Sequence, residues 1–383
     1  DRLQMYRECP LGNFGKMMKS LMPRPGIMEI KPYTPGKSNL PGLQNIIKLS
    51  SNESALGPSQ KAVDAFIKAS NDLHLYPDGE VAGLRSAIGD VYGVDPSRLV
   101  CGAGSDELFY NLARAYAGPG DEILYSKHGF NIYPIVAHAV GATPVTAPEK
   151  ELVFDVDAVL GAVTDRTRIV FIANPNNPTG SYIPREELKR LRNCLPEKIL
   201  LVIDGAYSEY VRKSDYTDGI DLVTNSQNTV MTRTFSKIYG LASLRVGWAF
   251  CPGEIAGVLN RLRAPFNITS AAQAAAIEAV NDQEHINASL AHNDTWLPWL
   301  QDKLGSVGLH VHPSVGNFLL VQFPENPGST AEDANKFLAS RGIIPRETSG
   351  YGLPQCLRIT IGKEYENRAV EKALSEFVSL WKN

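Results

Sequence analysis

Residues 230–248 read V-M-T-R-T-F-S-K-I-Y-G-L-A-S-L-R-V-G-W. A short β-prone run opens this stretch and then breaks into small and polar residues. Lys237 stands in the break, with Ser236 before it and Gly240 shortly after. A lysine just past a buried strand is a candidate for a desolvated amine with a lowered pKa. Most lysines are solvated surface groups, so this one has to be read with its surroundings. Arg245 follows beyond a Gly-Leu-Ala turn and sets a second cation beside the same break.

The pattern repeats outward from that stretch. Strands are expected at Leu99–Cys101, 122–125, 143–146, 168–173, 199–203, 228–233 and 246–250, with helices at about 131–139, 184–194 and 254–262. Strands separated by helical segments argue for a largely parallel sheet covered on both faces. Ligands bind beyond the carboxyl ends of such strands. Ser105, Asn177, Asp204 and Lys237 all follow expected strand ends, so one site can collect them. The glycine-rich turn G-A-G-S-D-E-L at 102–108 opens a helix that Ser105 or Asp106 is expected to cap. Free N–H groups and the positive dipole end suit such a terminus to phosphate.

After about residue 270 the texture changes to longer helical patterns and fewer strands, L-H-V-H, N-F-L-L-V-Q-F and L-R-I-T-I-G. The expected class is α/β. A large domain with a mostly parallel, seven-stranded-type sheet between helices is joined to a smaller α+β domain. The expected division is a leading arm over 1–45, rich in Pro and Gly from residue 23, a large domain over 46–280 and a small one over 281–383. The basic, Met-containing first 22 residues are either an arm that wraps a neighbouring subunit or an added leader.

Composition narrows the function classes. With 43% hydrophobic and 21% charged residues and a formal net charge of −3, the 383-residue chain reads as a globular protein with no nucleic-acid or membrane partner. No apolar run is long enough to span a bilayer. Cys9, Cys101, Cys194, Cys251 and Cys356 are scattered, odd in number and form no C-x-x-C pair. That spacing argues against a disulfide framework or a metal site and for a reducing, cytoplasmic compartment.

Two further stretches carry partners for the lysine: F-I-A-N-P-N-N-P-T-G at 171–180 and L-L-V-I-D-G-A-Y at 200–207. Together the three resemble the fold-type I pyridoxal-phosphate aminotransferases, class I/II. An amine such as that of Lys237 forms a Schiff base with an aldehyde cofactor. The resemblance implies pyridoxal 5'-phosphate as cofactor and Lys237 as the catalytic lysine. It implies Asp204 against the pyridine nitrogen, and Tyr207 and Asn177 on the phenolate oxygen. Ser105, Asp106, Thr234, Ser236 and Arg245 are implied around the phosphate, with Tyr76 reaching the phosphate of a partner subunit. The unit would then be a homodimer with shared active sites. Where the family often reads P-x-Y-x-x-Y, this chain reads S-K-H-G-F-N-I-Y, which puts Phe130 at the ring-stacking position without a hydroxyl.

Within the family, I-K-P-Y-T-P-G-K, L-S-S-N-E-S, G-A-G-S-D-E-L and L-R-I-T-I-G resemble the histidinol-phosphate aminotransferase branch, nearly end to end from about residue 24. Arg358 is then implied as the grip on the substrate's charged end and Arg346 as a second cation, a pair that suits a phosphate-bearing substrate. Tyr33, Asn52 and Glu53 are implied to flank the substrate. The expected reaction moves an amino group from L-histidinol phosphate to 2-oxoglutarate, a small-molecule donor and a 2-oxo acid acceptor. Alternatives are an aromatic-amino-acid aminotransferase and a threonine-phosphate decarboxylase-like enzyme. Outside catalysis stand a cofactor-binding regulator, for which too few residues precede the leading segment, and a cofactor-free metabolite-binding protein, which would purify colourless.

Overall fold

Leu99–Gly102, Leu200–Asp204 and Thr229–Thr234 are buried at every position. Continuous burial, rather than alternation, marks strands covered on both faces. In the computed structural model, which describes residues 22–42 and 45–382, these strands lie in one seven-stranded sheet. The strands are β1 (Leu99–Gly102), β2 (Glu122–Ser126), β3 (Thr143–Ala147), β4 (Thr167–Ala173), β5 (Leu200–Asp204), β6 (Thr229–Thr234) and β7 (Gly247–Phe250). Their spatial order is β1-β7-β6-β5-β4-β2-β3. Neighbours run parallel except β7, which is antiparallel to both β1 and β6. The lysine stretch explains the exception. It joins β6 to β7 through tight turns, without the crossover helix that a parallel return needs.

Helices cover both faces: α1 (Gln60–Ala69), α2 (Ala82–Tyr92), α3 (Ser105–Tyr116), α4 (Ile132–Val140), α5 (Val156–Ala162), α6 (Arg185–Cys194), α7 (Ile220–Thr224), α8 (Gly253–Leu262) and α9 (Ser270–Asn281). Successive strand residues point to opposite faces. Leu201, Ile203, Val170 and Ile172 enter one core with Leu84, Ile88 and Ala275. Leu200, Val202, Ile169 and Phe171 enter the other with Leu112, Val136 and Leu259.

A second sheet contains β8 (His310–His312), β9 (Phe318–Gln322), β10 (Arg346–Glu347) and β11 (Cys356–Thr360), in the order β8-β9-β11-β10, all antiparallel. It packs on α10 (Gln283–Ser306), α11 (Ala331–Ser340) and α12 (Glu364–Lys382) through Leu304, Leu338, Leu357 and Phe377. Ile47–Lys48 adds a short parallel pairing with Ile343–Ile344, and Leu49 joins this second core. That pairing spans most of the chain, and no local pattern announces it.

One expectation is corrected. The N-cap of α3 is Gly104, at φ 78 and ψ 167, and neither Ser105 nor Asp106 caps it. A side chain at Gly104 would collide with the Arg245 guanidinium, so the cap position holds glycine and Ser105 begins the helix proper. The arm expected over the first residues lies, up to residue 21, outside the described residues, as does Cys9.

Candidate active site

The carboxyl ends of β4, β5 and β6 deliver their residues to one cavity of about 260 Å³ beneath the second sheet. All the residues singled out from sequence line it except Asn52 and Tyr76. A neighbouring cavity of about 500 Å³ is larger but shares only Tyr33 and Arg346 with the residues singled out above, so the chemistry belongs to the smaller one.

Lys237 lies in the turn after β6. Gly240, at φ 68, closes that turn against the Gly57 carbonyl, where a Cβ would not fit. The Lys237 Nζ donates to the Ser51 carbonyl at 3.0 Å. Burial first, and the positive charge of Arg358 second, lower its pKa to about 8. That is the lowered amine that the sequence position suggested.

Asp204 ends β5 with its carboxylate buried. Oδ2 accepts from the Tyr133 hydroxyl at 2.8 Å and Oδ1 from the Ala206 N–H at 3.2 Å. Burial raises its pKa to about 6, and these two hydrogen bonds pull the other way. Among the described residues no cation pairs directly with this carboxylate, so it favours a cationic partner brought by a ligand. Tyr133 was not among the residues expected from sequence. Its only signal was a hydroxyl in the first turn of a helix beside the ring-stacking position.

Two donors gain their orientation from neighbours. The Tyr207 hydroxyl accepts from Asn52 Nδ2 at 2.9 Å, which leaves its own proton to donate. Asn52 therefore stands one layer behind the cavity wall. Asn177 Oδ1 accepts from Arg358 Nη1, which leaves the Asn177 amide N–H groups to donate. The buried Arg358 also donates from Nη2 to the Ser50 carbonyl at 2.8 Å, and its Nε has no hydrogen-bond partner among the described residues. Arg346 sits directly opposite Arg358 in the β10–β11 register and donates to the Thr34 carbonyl at 2.7 Å. Residues directly opposite in an antiparallel pair share a face, so both guanidinium groups project from one side of the sheet.

At the other end of the cavity Arg245 Nη1 donates to Ser236 Oγ at 3.0 Å, and Thr234 Oγ1 donates to the same oxygen at 2.9 Å. Asp106 approaches the Arg245 guanidinium at 3.5 Å. With no side chain capping α3 and a guanidinium lying over Gly104, this end suits an anion. Phe130 presents its ring between Tyr33, edge-on at 6.5 Å, and Tyr133, edge-on at 6.0 Å. Glu53 lines the rim and pairs with Lys48. Tyr76 lies outside the cavity, 82% exposed and stacked on Phe266 at 4.7 Å.

The site therefore has an anion cradle at one end, a buried carboxylate without a cation partner, a lowered-pKa amine and two arginines that face the cavity from the second sheet. These residues fit pyridoxal phosphate, whose phosphate, ring nitrogen and aldehyde would meet Arg245, Asp204 and Lys237 in turn. Among the described residues no cluster of three or more His, Cys, Asp or Glu side chains is placed to hold a metal ion.

Comparison with known proteins shows the family. The aminotransferase class I and II family profile matches residues 44–375. The histidinol-phosphate aminotransferase of Paramagnetospirillum magneticum is 57% identical over 94% of this chain and 99% of its own length. That of Rhodopseudomonas palustris is 51% identical over 94% of this chain and its full length. A crystal structure of histidinol-phosphate aminotransferase from Sinorhizobium meliloti in complex with pyridoxal-5'-phosphate superposes with a TM-score of 0.83 at 29% identity, covering 88% of this chain and 91% of that one. A profile match over most of the chain, joined to identity above one half with full-length relatives, shows that the protein belongs to the aminotransferase class I and II family.

Proposed function

We propose that this chain transfers the amino group of L-histidinol phosphate to 2-oxoglutarate, with pyridoxal 5'-phosphate as cofactor. The observation that carries the reading is a buried amine of lowered pKa beside a buried carboxylate, under two arginines on one sheet face. The similarity to named histidinol-phosphate aminotransferases supports the choice of substrate.

The geometry supports a role for each residue. Arg245, Ser236, Thr234 and the first turn of α3 hold the cofactor phosphate. Asp204, with Tyr133 fixing Oδ2, keeps the ring nitrogen protonated. The Tyr207 proton and the Asn177 amide donate to the ring oxygen, and Phe130 covers a ring face. When bound, the cofactor supplies an aldehyde for the amino group and a ring that withdraws electrons from the substrate carbon. Lys237, whose amine burial and Arg358 already hold below the usual lysine range in the cofactor-free chain, holds and moves the proton at that carbon. Arg358 and Arg346 grip the phosphate or carboxylate of each substrate in turn. Tyr33 and Glu53 border that end.

The functional unit is proposed to be a homodimer in the cytoplasm, with Tyr76 reaching the neighbouring subunit's phosphate. The proposed division is a leading arm over 1–45, a large domain over 46–280 and a small one over 281–383. Ile47–Leu49 adds a strand and an apolar side chain to the smaller unit.

The test is an anaerobic titration of the cofactor-loaded protein with L-histidinol phosphate and no oxo acid. Stoichiometric conversion of the cofactor to its amine form, read in the visible spectrum, is expected. Conversion by phenylalanine or tyrosine but not by histidinol phosphate would transfer the chain to the aromatic aminotransferases. A protein that never binds the cofactor would remove Lys237 from its role.

A further inference from the structure

A strained hairpin stands behind the ring-stacking residue. Glu149–Lys150 pairs antiparallel with Val153–Phe154, and the two turn residues, Glu151 and Leu152, lie at φ 53 and 62. A two-residue turn with both φ positive normally takes Asn or Gly. Glu and Leu hold it only if surrounding contacts outweigh the strain.

Those contacts lead in two directions. Leu152 packs against Leu320, Leu353 and Cys356 of the smaller unit, and its carbonyl accepts from Ser181 Oγ at 2.8 Å. Leu320 is the register partner of Arg358, and Cys356 lies two residues from it on the same strand. The hairpin tip is thus seated on the sheet face that carries the arginines.

Glu149 faces the other way, its side chain only 2% exposed. Oε1 accepts from the His128 N–H at 3.0 Å and Oε2 from the His128 ring Nδ1 at 2.8 Å. A carboxylate has no proton to give, so Nδ1 carries the hydrogen. The His128 carbonyl in turn accepts from Asn176 Nδ2 at 3.1 Å. One buried carboxylate therefore holds both backbone and ring of the residue two positions before Phe130, and that residue is tied to the neighbour of Asn177.

We propose that Glu149 is a positioning residue for the cofactor. Through His128 it fixes the loop that presents Phe130 to the ring, while Leu152 pins its hairpin to the arginine-bearing sheet. Neither Glu149 nor His128 lines the cavity, whereas Phe130 does, so the proposal routes the effect of Glu149 through Phe130. The proposal rests on the reading of Phe130 as the ring-covering residue.

A double-mutant cycle of Glu149→Gln and Phe130→Leu tests it, read as the affinity of cofactor-free protein for pyridoxal phosphate and as the melting midpoint of the same samples. The Gln amide keeps one acceptor oxygen for the His128 N–H, and its NH2 can face Nδ1 only after the ring hydrogen moves to Nε2. Glu149→Gln is expected to weaken cofactor binding by about tenfold, the scale of one net hydrogen bond, and that loss is expected to vanish in the Phe130→Leu background. A loss that persists in full there would make Glu149 a merely structural residue and overturn the proposal, as would no loss at all. If Phe130→Leu alone leaves affinity unchanged, the reading of Phe130 fails and the proposal falls with it, with Lys237 and Asp204 untouched. Should Glu149→Gln not fold, His128→Gln breaks the same pair from the other side and is held to the same outcomes.

Discussion

Asp204 and Lys237 both carry a cost in the cofactor-free chain, and its sign can be worked out. Burial raises the Asp204 pKa from 3.8 to about 6. Between those values the unfolded chain has lost the proton that the folded chain keeps, so stability falls as pH rises. Above about pH 6 the whole cost is present, on the order of 3 kcal/mol at about 1.4 kcal/mol per pKa unit. Lys237 drops from 10.5 to about 8, so its cost is complete below about pH 8 and fades toward 10.5. Asp204→Asn is therefore expected to raise the melting midpoint of cofactor-free protein at about pH 7.5, with a gain that shrinks toward about pH 5. A gain independent of pH would mean that the carboxylate charge is not its source. In the loaded enzyme the same residue is proposed to be needed. Asp204→Ala is expected to lose about 3–5 kcal/mol of transition-state stabilisation, seen in kcat/KM, because it strands a buried ring charge. Near-normal turnover with the cofactor retained would refute that role.

Elements explain why these groups meet. β5 and β6 run parallel and end together, so Asp204 and the lysine turn open on the same side. Two glycines keep the connections tight. Gly104 lies under Arg245 at a positive φ, so Gly104→Ala is expected to fold, with strain of about 1–3 kcal/mol, and to bind pyridoxal phosphate more weakly because Arg245 is displaced. Unchanged cofactor affinity would place the phosphate elsewhere. Gly240→Ala meets the Gly57 backbone, which cannot yield as a side chain can, and is expected to lower the melting midpoint more than Gly104→Ala does. The strands and most helices were legible because each is a local run of apolar residues with a recognisable end. The cap of α3 was not, because it depends on an arginine from the distant lysine stretch.

For the whole molecule, Tyr76 is the residue proposed to link site and assembly. It is exposed and stacked on Phe266, with Phe66, Ile67, Leu73 and Leu75 also exposed, an apolar set of the kind that marks an interface. The protein is expected to sediment at twice its chain mass. Tyr76→Phe is expected to leave that mass unchanged and to weaken cofactor binding, whereas an unchanged affinity would confine the site to one subunit. The sequence alone determined the strands, their ends and the lysine and carboxylate that follow them, because these are written in short local runs, and it marked the arginines through the resemblance of their motifs to the family. Only the tertiary structure decided that Tyr133 holds Asp204, that Asn52 turns the Tyr207 proton toward the cavity, and that Ile47–Lys48 pairs with Ile343–Ile344. Each of these joins ordinary residues far apart in the chain, and a contact of that kind exists only once the sheets have brought its two ends together.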